Sequence, residues 1–414
     1  MLARLFLLFF STGFLLAAAA DWPTWRGPAE NGSSPEKTLP ETWADGKNVA
    51  WTADLPGPGA GTPLVLGERV FLPSVDGEEV TAICLDATTG KQLWKQTVGP
   101  NKGFPRKGNS AQPSPASDGE RVVFLTGTGW LAAFDLDGKE LWKEEVTKSL
   151  GPFKQNFGYG ATPVFIDGKL VMANLVRVPH GKSFVVAYDP ATGQELWKVE
   201  RPTDAEKESG ATYASVVPIE FDGKPAALVA GGDVITIHDL ADGNELLRQD
   251  YAGKKKQKHW RLVATPTVDG DIVYFQDPRG GRVTRYELAD GKLNETWSHK
   301  GKYGDVPCPL LYEGLLFILN GRDRVLYCFD PKEGTKLWEE KLPLSGPLRA
   351  SPVGAGGMVY CVSEDGVATV FAAAREPKQV ASFQTKRPGT LATPAVAGGA
   401  LYLRDDERLT KVAP

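Results

Sequence analysis

A polar turn followed by an apolar strand recurs along this 414-residue chain. The stretch DATTGKQLW occupies residues 86–94, and related stretches follow it: DLDGKELW, DPATGQELW, DLADGNELL and DPKEGTKLW. A second element, a small residue before Pro and then an apolar run into a Gly turn, occurs eight times, with SVVPIEFDGKPAALV as the divergent copy. The chain therefore builds one supersecondary unit many times.

A column of aromatic residues gives the period of the repeat. Its steps run from 41 to 55 residues, and Leu and Phe each replace Trp once; the column is Trp51, Trp94, Trp142, Trp197, Leu247, Trp297, Trp338 and Phe383. Four short strands in a repeat of about 40–50 residues predict a β-propeller blade. Period-2 alternation, β-branched residues and frequent Gly turns exclude helical repeats.

The two ends of the propeller region hold complementary partial repeats. NVAWTADLP, at 48–56, is a Trp strand with no partner strands before it, whereas the eighth copy, TPAVAGGALYLRDDERLTKVAP, lacks a Trp strand. Joining the two removes exposed sheet edges. We predict an all-β fold over residues 48–414: an eight-bladed β-propeller of four-stranded antiparallel blades, closed by an N-terminal strand that completes the C-terminal blade.

Two segments precede the repeats. Residues 1–20, MLARLFLLFFSTGFLLAAAA, are typical of a secretory signal peptide with cleavage after Ala20, which predicts a periplasmic or secreted, soluble protein. No Cys follows the apolar run and no later stretch is long enough for a membrane span, so neither a lipid anchor nor a span is predicted. Residues 21–47 form a Trp- and Pro-rich lead, expected to lie across the propeller through Trp25–Gly27; a partner-binding arm is the alternative.

The cysteines and one histidine indicate core positions. Cys84, Cys308, Cys328 and Cys361 lie in apolar stretches, and no C-x-x-C occurs, so we expect buried unpaired thiols and no zinc site. We align His238 with Cys84 and Cys328 of the other copies, which predicts a buried side chain. The formal net charge of −4 is small for this length and does not predict nucleic acid as a partner.

One copy of the repeat carries the motif of a known family. The stretch from Ala187 to Trp197 matches the pattern A-x-D-x-x-T-G-x-x-x-W, and the copies at 86–94 and 135–142 match nearly as well. This pattern resembles the tryptophan-docking motif of the PQQ-like (pyrroloquinoline-quinone-like) repeat family, and the resemblance covers roughly residues 48–414. It implies an eight-bladed propeller.

The resemblance implies two functional branches. One comprises quinoprotein dehydrogenases, which hold PQQ and a calcium ion at the propeller axis, and the other comprises BamB-type scaffolds of outer-membrane assembly. The chain has no adjacent Cys-Cys pair to stack against a quinone and no C-x-x-C-H haem motif, and the family's calcium ligands do not map onto it. We therefore predict no cofactor, no metal and no catalytic residue, with PQQ and calcium as the disfavoured alternative.

The informative loops join strand D to the next strand A, or strand B to strand C, because both kinds open on one face of a propeller. They carry cations with aromatic residues between them, which favours an envelope protein, an anionic ligand or a glycan as partner. Solvated, variable loop charge is the alternative. The candidate binding residues are Arg106, Lys107, Asn156, Tyr159, Arg201, Tyr213, His259, Trp260, Arg261 and Arg279.

The sequence as a whole favours an exported, non-catalytic binding or scaffolding propeller of the periplasm or cell envelope, acting as a monomer. A PQQ-dependent dehydrogenase is the second hypothesis, and a glycan- or peptide-binding accessory protein is the third.

Overall fold

Eight four-stranded antiparallel sheets make up the protein in a computed structural model, which describes residues 21–104, 108–253, 257–344, 346–385 and 391–414. Each sheet is one blade, and strands A to D follow one another in the chain in all blades but the last. The predicted eight-bladed propeller is confirmed. Helix in the described residues is limited to one α-helical turn, α1 (Thr147–Leu150), and short 3-10 turns at Ala44–Gly46, Lys207–Gly210 and Pro278–Gly280.

Blades 1 to 4 follow the closing strand β1 (Val49–Asp54). Blade 1 contains β2 (Leu64–Leu66), β3 (Arg69–Asp76), β4 (Glu79–Asp86) and β5 (Gln92–Pro100). Blade 2 contains β6 (Ala116–Ser117), β7 (Arg121–Leu125), β8 (Trp130–Asp135) and β9 (Glu140–Glu145). Blade 3 contains β10 (Val164–Ile166), β11 (Lys169–Asn174), β12 (Phe184–Tyr188) and β13 (Glu195–Glu200). Blade 4 contains β14 (Val217–Phe221), β15 (Lys224–Gly231), β16 (Val234–Asp239) and β17 (Glu245–Asp250).

Blades 5 to 8 complete the circle. Blade 5 contains β18 (Thr267–Asp269), β19 (Ile272–Gln276), β20 (Arg282–Ala289) and β21 (Lys292–Lys300). Blade 6 contains β22 (Leu310–Tyr312), β23 (Leu315–Asn320), β24 (Val325–Phe329) and β25 (Lys336–Lys341). Blade 7 contains β26 (Val353–Ala355), β27 (Met358–Val362), β28 (Val367–Ala372) and β29 (Gln379–Gln384). Blade 8 contains β30 (Ala395–Ala397), β31 (Ala400–Arg404) and β32 (Arg408–Val412), with β1 as its fourth strand.

Strand β1 closes the ring by pairing with β32. The two strands run antiparallel, with Thr52 opposite Thr410 and Asp54 opposite Arg408. The Arg408 Nε atom lies 3.1 Å from the Asp54 Oδ1 atom, although the Asp54 side chain is largely exposed. The first and last blade strands thus share one sheet, which removes two free edges.

The polar turn before each Trp strand is closed by its aspartate. In blade 3, the Asp189 Oδ1 atom accepts hydrogen bonds from the backbone N–H groups of Ala191 (2.7 Å) and Thr192 (3.2 Å). In blade 1, hydrogen bonds from the Thr89 hydroxyl and backbone hold the pKa of Asp86 below its usual value. The turn residues of the repeat therefore fix the C–D hairpin locally.

The recurring Trp seals the seam between neighbouring blades. Its indole N–H donates to a carbonyl in the C–D turn of the next blade, at 2.8–3.0 Å; the pairs are Trp51–Ala87, Trp94–Leu136, Trp142–Pro190, Trp197–Leu240, Trp297–Pro331 and Trp338–Ala374. In five of these pairs the ring lies against a turn glycine of the same neighbour. At Gly243, an added Cβ would lie 2.5 Å from the Trp197 ring, so the motif needs glycine there.

The Leu and Phe positions in this column use other contacts. Leu247 is buried in an apolar cluster with Tyr286 and Leu293 of the next blade. Phe383 packs edge-on against Trp43 of the lead, with ring centroids 4.8 Å apart. The lead thus supplies an aromatic partner at the blade 7 seam.

The core consists of apolar side chains packed between adjacent blades. All four cysteines are buried and unpaired, as expected from the sequence. His238 is buried too; its Nδ1 atom lies 2.9 Å from the Gly243 carbonyl oxygen and its Nε2 atom 3.0 Å from the Thr236 hydroxyl. Its predicted alignment with Cys84 and Cys328 was wrong, because the strand register places Ile237 at the cysteine position and His238 one residue beyond it. Among the described residues, no helix has the length and apolarity needed to cross a bilayer.

Candidate functional site

The D–A and B–C loops enclose a cavity of about 1100 Å³ on one face of the propeller. Strand direction alternates within a blade, so these two loop types open on the same face, and the A–B and C–D turns lie on the other. We call this cavity the funnel. Its size matches that of sites that hold a small ligand or a short chain segment.

A belt of hydroxyl groups surrounds the axis inside the funnel. Each D–A loop ends in a Ser, Thr or Cys just before strand A, and the belt comprises Thr62, Ser114, Thr162, Ser215, Thr265, Cys308, Ser351 and Thr393. The backbone N–H of one member donates to the side-chain oxygen or sulfur of the next, at 2.9–3.2 Å across seven blade junctions. The small residue before Pro, which the sequence marked only as a strand start, therefore joins neighbouring blades.

The N-terminal lead lies across the inner strands on the side of the belt away from the mouth. Trp22 forms a β-bridge with Val65, and Ser33 forms one with Gly354. Both partners lie in strand A, three residues after a belt position. Trp25 lines the funnel, so the lead provides its floor.

Arg26 fastens this floor at the axis. Its side chain is 1% exposed, and its Nη2 atom donates to the Asn31 carbonyl (2.7 Å), the Thr267 hydroxyl (2.9 Å) and the Pro309 carbonyl. Burial lowers the pKa of Arg26. The guanidinium also lies 5.4 Å from the centroid of the Trp25 ring, which fixes that ring in the floor.

An ion-pair network forms one wall of the funnel. The Arg261 Nη1 atom donates to Asp305 at 3.2 Å, and its Nε atom lies 3.6 Å from Glu208. The backbone N–H of Arg279 donates to the Asp305 Oδ1 atom at 2.9 Å. Arg279 adopts a left-handed conformation (φ 63°), which is uncommon for a residue other than glycine and often accompanies functional sites.

Three further cations line the same wall. Lys302 and Arg322 are exposed, and neither side chain has an ion-pair partner among the residues that the structure describes. Arg349 pairs with Glu364. All the described cations that line the funnel come from blades 4 to 7, whereas the opposite wall carries hydroxyl, amide and aromatic groups.

Of the ten predicted binding residues, three line the funnel: Tyr213, Arg261 and Arg279. The Tyr213 hydroxyl accepts a hydrogen bond from the Phe157 backbone N–H at 3.3 Å, and burial raises the pKa of Tyr213. The Arg261 guanidinium lies 5.9 Å from the centroid of the Phe157 ring. These contacts make one aromatic and cationic corner.

Three other predicted residues surround this corner. The Asn156 side chain donates to Glu208 at 3.3 Å and accepts a hydrogen bond from Arg177 at 2.8 Å. His259 is exposed, and its carbonyl accepts a hydrogen bond from Arg279 Nη2 at 3.2 Å. Trp260 is 40% exposed, more than any other Trp that the structure describes.

Two predicted residues have structural contacts instead. Tyr159 is buried, donates its hydroxyl to the Ala173 carbonyl at 2.7 Å, and stacks on Phe153 with ring centroids 4.1 Å apart. Arg201 is 1% exposed and donates to the Thr236 hydroxyl (2.7 Å) and to the carbonyls of Val229, Gly231 and Val234 in blade 4. Burial lowers the pKa of Arg201 to about 10.

The remaining two, Arg106 and Lys107, lie outside the described residues, as do Lys254–Lys256 of the lysine-rich loop and the predicted signal peptide. The sequence did not single out Trp25, Lys302, Arg322 or Arg349 as binding residues. Lys302, Arg322 and Arg349 lie in D–A or B–C loops, as the predicted residues of other blades do, and this correspondence is the signal that was available. Trp25 lies in the lead, which was expected to contact the propeller.

The donors of the funnel bear on whether it could hold PQQ and calcium. Calcium requires several oxygen ligands, but Asp305 already engages Arg261, and the Asp323 carboxylate accepts a hydrogen bond from Asn320 at 3.1 Å. Across the described ranges, no group of three or more His, Cys, Asp or Glu side chains converges as metal ligands would. Cys308, the cysteine that lines the funnel, has no adjacent cysteine in the sequence. These donors do not fit a calcium–quinone pair.

Fold and site together define an eight-bladed β-propeller with a funnel that is open at one face and floored by its own N-terminal lead. The chain belongs to the family whose model is described as outer membrane protein assembly factor BamB, which matches residues 37–173, 181–308 and 295–414. Polyvinylalcohol dehydrogenase of Sphingopyxis sp. (strain 113P3) is 25% identical over 389 residues, covering 84% of this chain and 55% of that protein. BamB of Bordetella pertussis (strain Tohama I) is 26% identical over 257 residues, 58% of each chain.

Solved structures share the fold. Quinohemoprotein alcohol dehydrogenase from Comamonas testosteroni superposes with a TM-score of 0.69 at 14% identity, covering 94% of this chain and 80% of that one. BamB from Moraxella catarrhalis superposes with a TM-score of 0.64 at 16% identity, covering 88% and 98%. The chain spans little more than half the length of the polyvinylalcohol dehydrogenase and of the Bordetella pertussis BamB. Its similarity is divided between BamB proteins and dehydrogenases.

Proposed function

We propose that this protein is an exported, non-catalytic binding propeller of the cell envelope, which holds a partner at the mouth of the funnel. The observation that carries the proposal is the funnel itself: it is lined by cations and aromatic rings, while its two described carboxylates are engaged with neighbouring side chains. Such a lining suits recognition, since Arg and aromatic side chains are the commonest interface hot spots. The family description supports the same class.

Export rests on the predicted signal peptide, residues 1–20. Cleavage after Ala20 would leave Asp21 as the first residue, and the Asp21 carboxylate accepts a hydrogen bond from the Gly67 backbone N–H at 2.7 Å. Expression of the full chain, followed by N-terminal sequencing of the protein from the periplasmic fraction, tests this part. We expect a mature chain that begins at Asp21; a chain retained in the cytoplasm with residues 1–20 intact would contradict export.

Partner binding is tested at Trp260 on the rim of the funnel. An exposed Trp at an interface is a strong candidate for a hot spot, so we expect Trp260→Ala to reduce capture of an envelope protein about tenfold or more. Leu141→Ala is the matched control, because Leu141 is 42% exposed but lies on an outer strand. Equal capture by wild type and Trp260→Ala, or equal loss in both variants, would remove the mouth as the binding surface.

A quinoprotein dehydrogenase is the second candidate, favoured by two relatives. Besides the polyvinylalcohol dehydrogenase, quinohemoprotein alcohol dehydrogenase ADH IIB of Pseudomonas putida is 28% identical over 369 residues, covering 51% of that protein. The protein is incubated with PQQ and calcium and assayed for quinone absorbance and dye-linked alcohol oxidation. We expect neither saturable binding nor turnover; turnover would replace the scaffold proposal.

A further inference from the structure

The belt presents hydrogen-bond donors to the funnel. A hydroxyl group offers one donor hydrogen and two acceptor lone pairs. The oxygens of Ser114, Thr162, Ser215, Thr265 and Ser351 each accept a backbone N–H from the preceding blade, yet no described residue accepts their hydroxyl hydrogens. All five residues are nearly buried and line the funnel. The inner surface therefore presents a ring of hydroxyl donors. The oxygen of each of these hydroxyls already accepts one hydrogen bond from a backbone N–H group.

The cationic wall adds positive charge beside this ring. Lys302 and Arg322 project from blades 5 and 6 without an ion-pair partner in the described part of the chain, and the Arg279 side chain is 46% exposed. Two carboxylates line the same wall: Asp305 is shared by Arg261 and Arg279, and Asp323 accepts a hydrogen bond from Asn320. The five described cations of the lining therefore outnumber its two described carboxylates. A ligand that enters the funnel meets donors and cations together.

We propose that the funnel binds an acidic peptide segment, such as an extended chain end of a partner protein. This inference rests on the proposed function and names the chemistry that the funnel recognises. Carboxylates and peptide carbonyls are acceptors, which match a donor ring and a cationic wall. Sugar hydroxyls also need acceptors, whereas the two described carboxylates of the lining, Asp305 and Asp323, already accept hydrogen bonds. The lead closes the far side of the belt, so the segment enters from the mouth and its end lies near Trp25.

The test uses synthetic octaglutamate with the purified full-length mature protein in titration calorimetry. We expect saturable binding at low salt that weakens as salt is raised, because partly exposed charges are screened. Octaglutamine and inorganic phosphate are expected to bind at least about tenfold more weakly, since neither combines charge with a chain of carbonyl acceptors. Binding of phosphate as tight as that of octaglutamate would overturn the proposal, because it would show a site for a single anion.

The variant Lys302→Gln/Arg322→Gln removes the two unpaired cations. We expect about a tenfold loss of octaglutamate affinity, as for two partly exposed charge contacts. Lys224→Gln/Lys292→Gln is the matched control: both lysines are exposed and begin strands directly after turns on the opposite face. Circular dichroism verifies that both variants are folded. Unchanged affinity in the first variant, or equal loss in the control, would refute the assignment.

Two further arms separate the alternatives. Oligogalacturonate, which carries carboxylates on a sugar chain, is titrated in parallel, and tighter binding than octaglutamate would replace the peptide by an acidic glycan. Octaglutamate is also added to the envelope capture experiment as a competitor. If a partner is captured and octaglutamate fails to displace it, the binding function stands and the peptide inference fails. If octaglutamate binds but no partner is captured, the inference stands and the scaffold proposal fails.

Discussion

The Trp seam between blades 3 and 4 allows a quantitative test. Gly243 has φ 79°, and an added Cβ would lie 2.5 Å from the Trp197 ring. Alanine at this position costs about 1–2 kcal/mol for the left-handed backbone and about 1–3 kcal/mol more for overlap with a buried ring. We therefore expect Gly243→Ala to lower the free energy of unfolding by about 2–5 kcal/mol.

Gly168 provides the matched control. It has φ 70°, but an added Cβ there would meet no atom within 4 Å. Gly168→Ala should therefore cost the backbone contribution alone, about 1–2 kcal/mol. Trp197→Ala, which removes the ring and the hydrogen bond to Leu240, should cost about 3–5 kcal/mol.

The double variant isolates the contact. In a Trp197→Ala background the overlap disappears, so Gly243→Ala should then cost no more than Gly168→Ala, with a coupling of about 1–3 kcal/mol between the two sites. Equilibrium urea unfolding with a common slope measures each value. Equal costs of Gly243→Ala in both backgrounds would refute the idea that the ring packs on this glycine.

Three further predictions concern the interior. Burial lowers the pKa of His238 from its ordinary 6.5, so the unfolded chain takes up the proton first as pH falls, and this contribution to stability is lost below about pH 6.5. His238→Leu, which introduces the residue that blade 1 has at the same position (Leu85), should flatten the acid side of a stability–pH curve, and an unchanged slope would contradict this. Burial raises the pKa of Cys361 to about 12, so a thiol reagent should label it in the unfolded protein and not in the folded one; rapid labelling of the folded protein would contradict its burial. Cys308→Ser should change the free energy of unfolding by less than about 1 kcal/mol in chemical denaturation, because Ser already occupies this belt position in three other blades. A larger loss would show that the belt depends on the thiol.

The blade count and the closure were predictable from the sequence, because each blade repeats its turn and Trp strand and the partial repeats at residues 48–56 and 393–414 are complementary. The direction of a loop side chain was not predictable in the same way. Arg201 directly follows a strand, so its position in the sequence predicts an exposed loop cation. Its guanidinium instead donates to four groups of the next blade. Those acceptors lie some 30 residues away in the chain, so no local pattern marks them.

The sequence predicted which face of the propeller holds the funnel, but not which residues line it. The loops of the cationic wall were identified only in part, since Lys302 and Arg349 are each the single cation of their loop in the sequence. Trp25 was expected to contact the propeller, but its place in the floor depends on where Arg26 meets Thr267 and Pro309 near the axis. The belt could not be predicted, because the start of a strand already explains the small residue before Pro and nothing local indicates its contact with the next blade.

Site-specific photo-crosslinking in cells tests most directly whether the funnel face is the binding surface. A photoreactive amino acid is placed at position 322 on the funnel wall and, in a second variant, at position 224, directly after a turn of the opposite face. We expect a discrete adduct with an envelope protein from position 322 and none from position 224. An adduct from position 224 alone, or equal adducts from both positions, would contradict it.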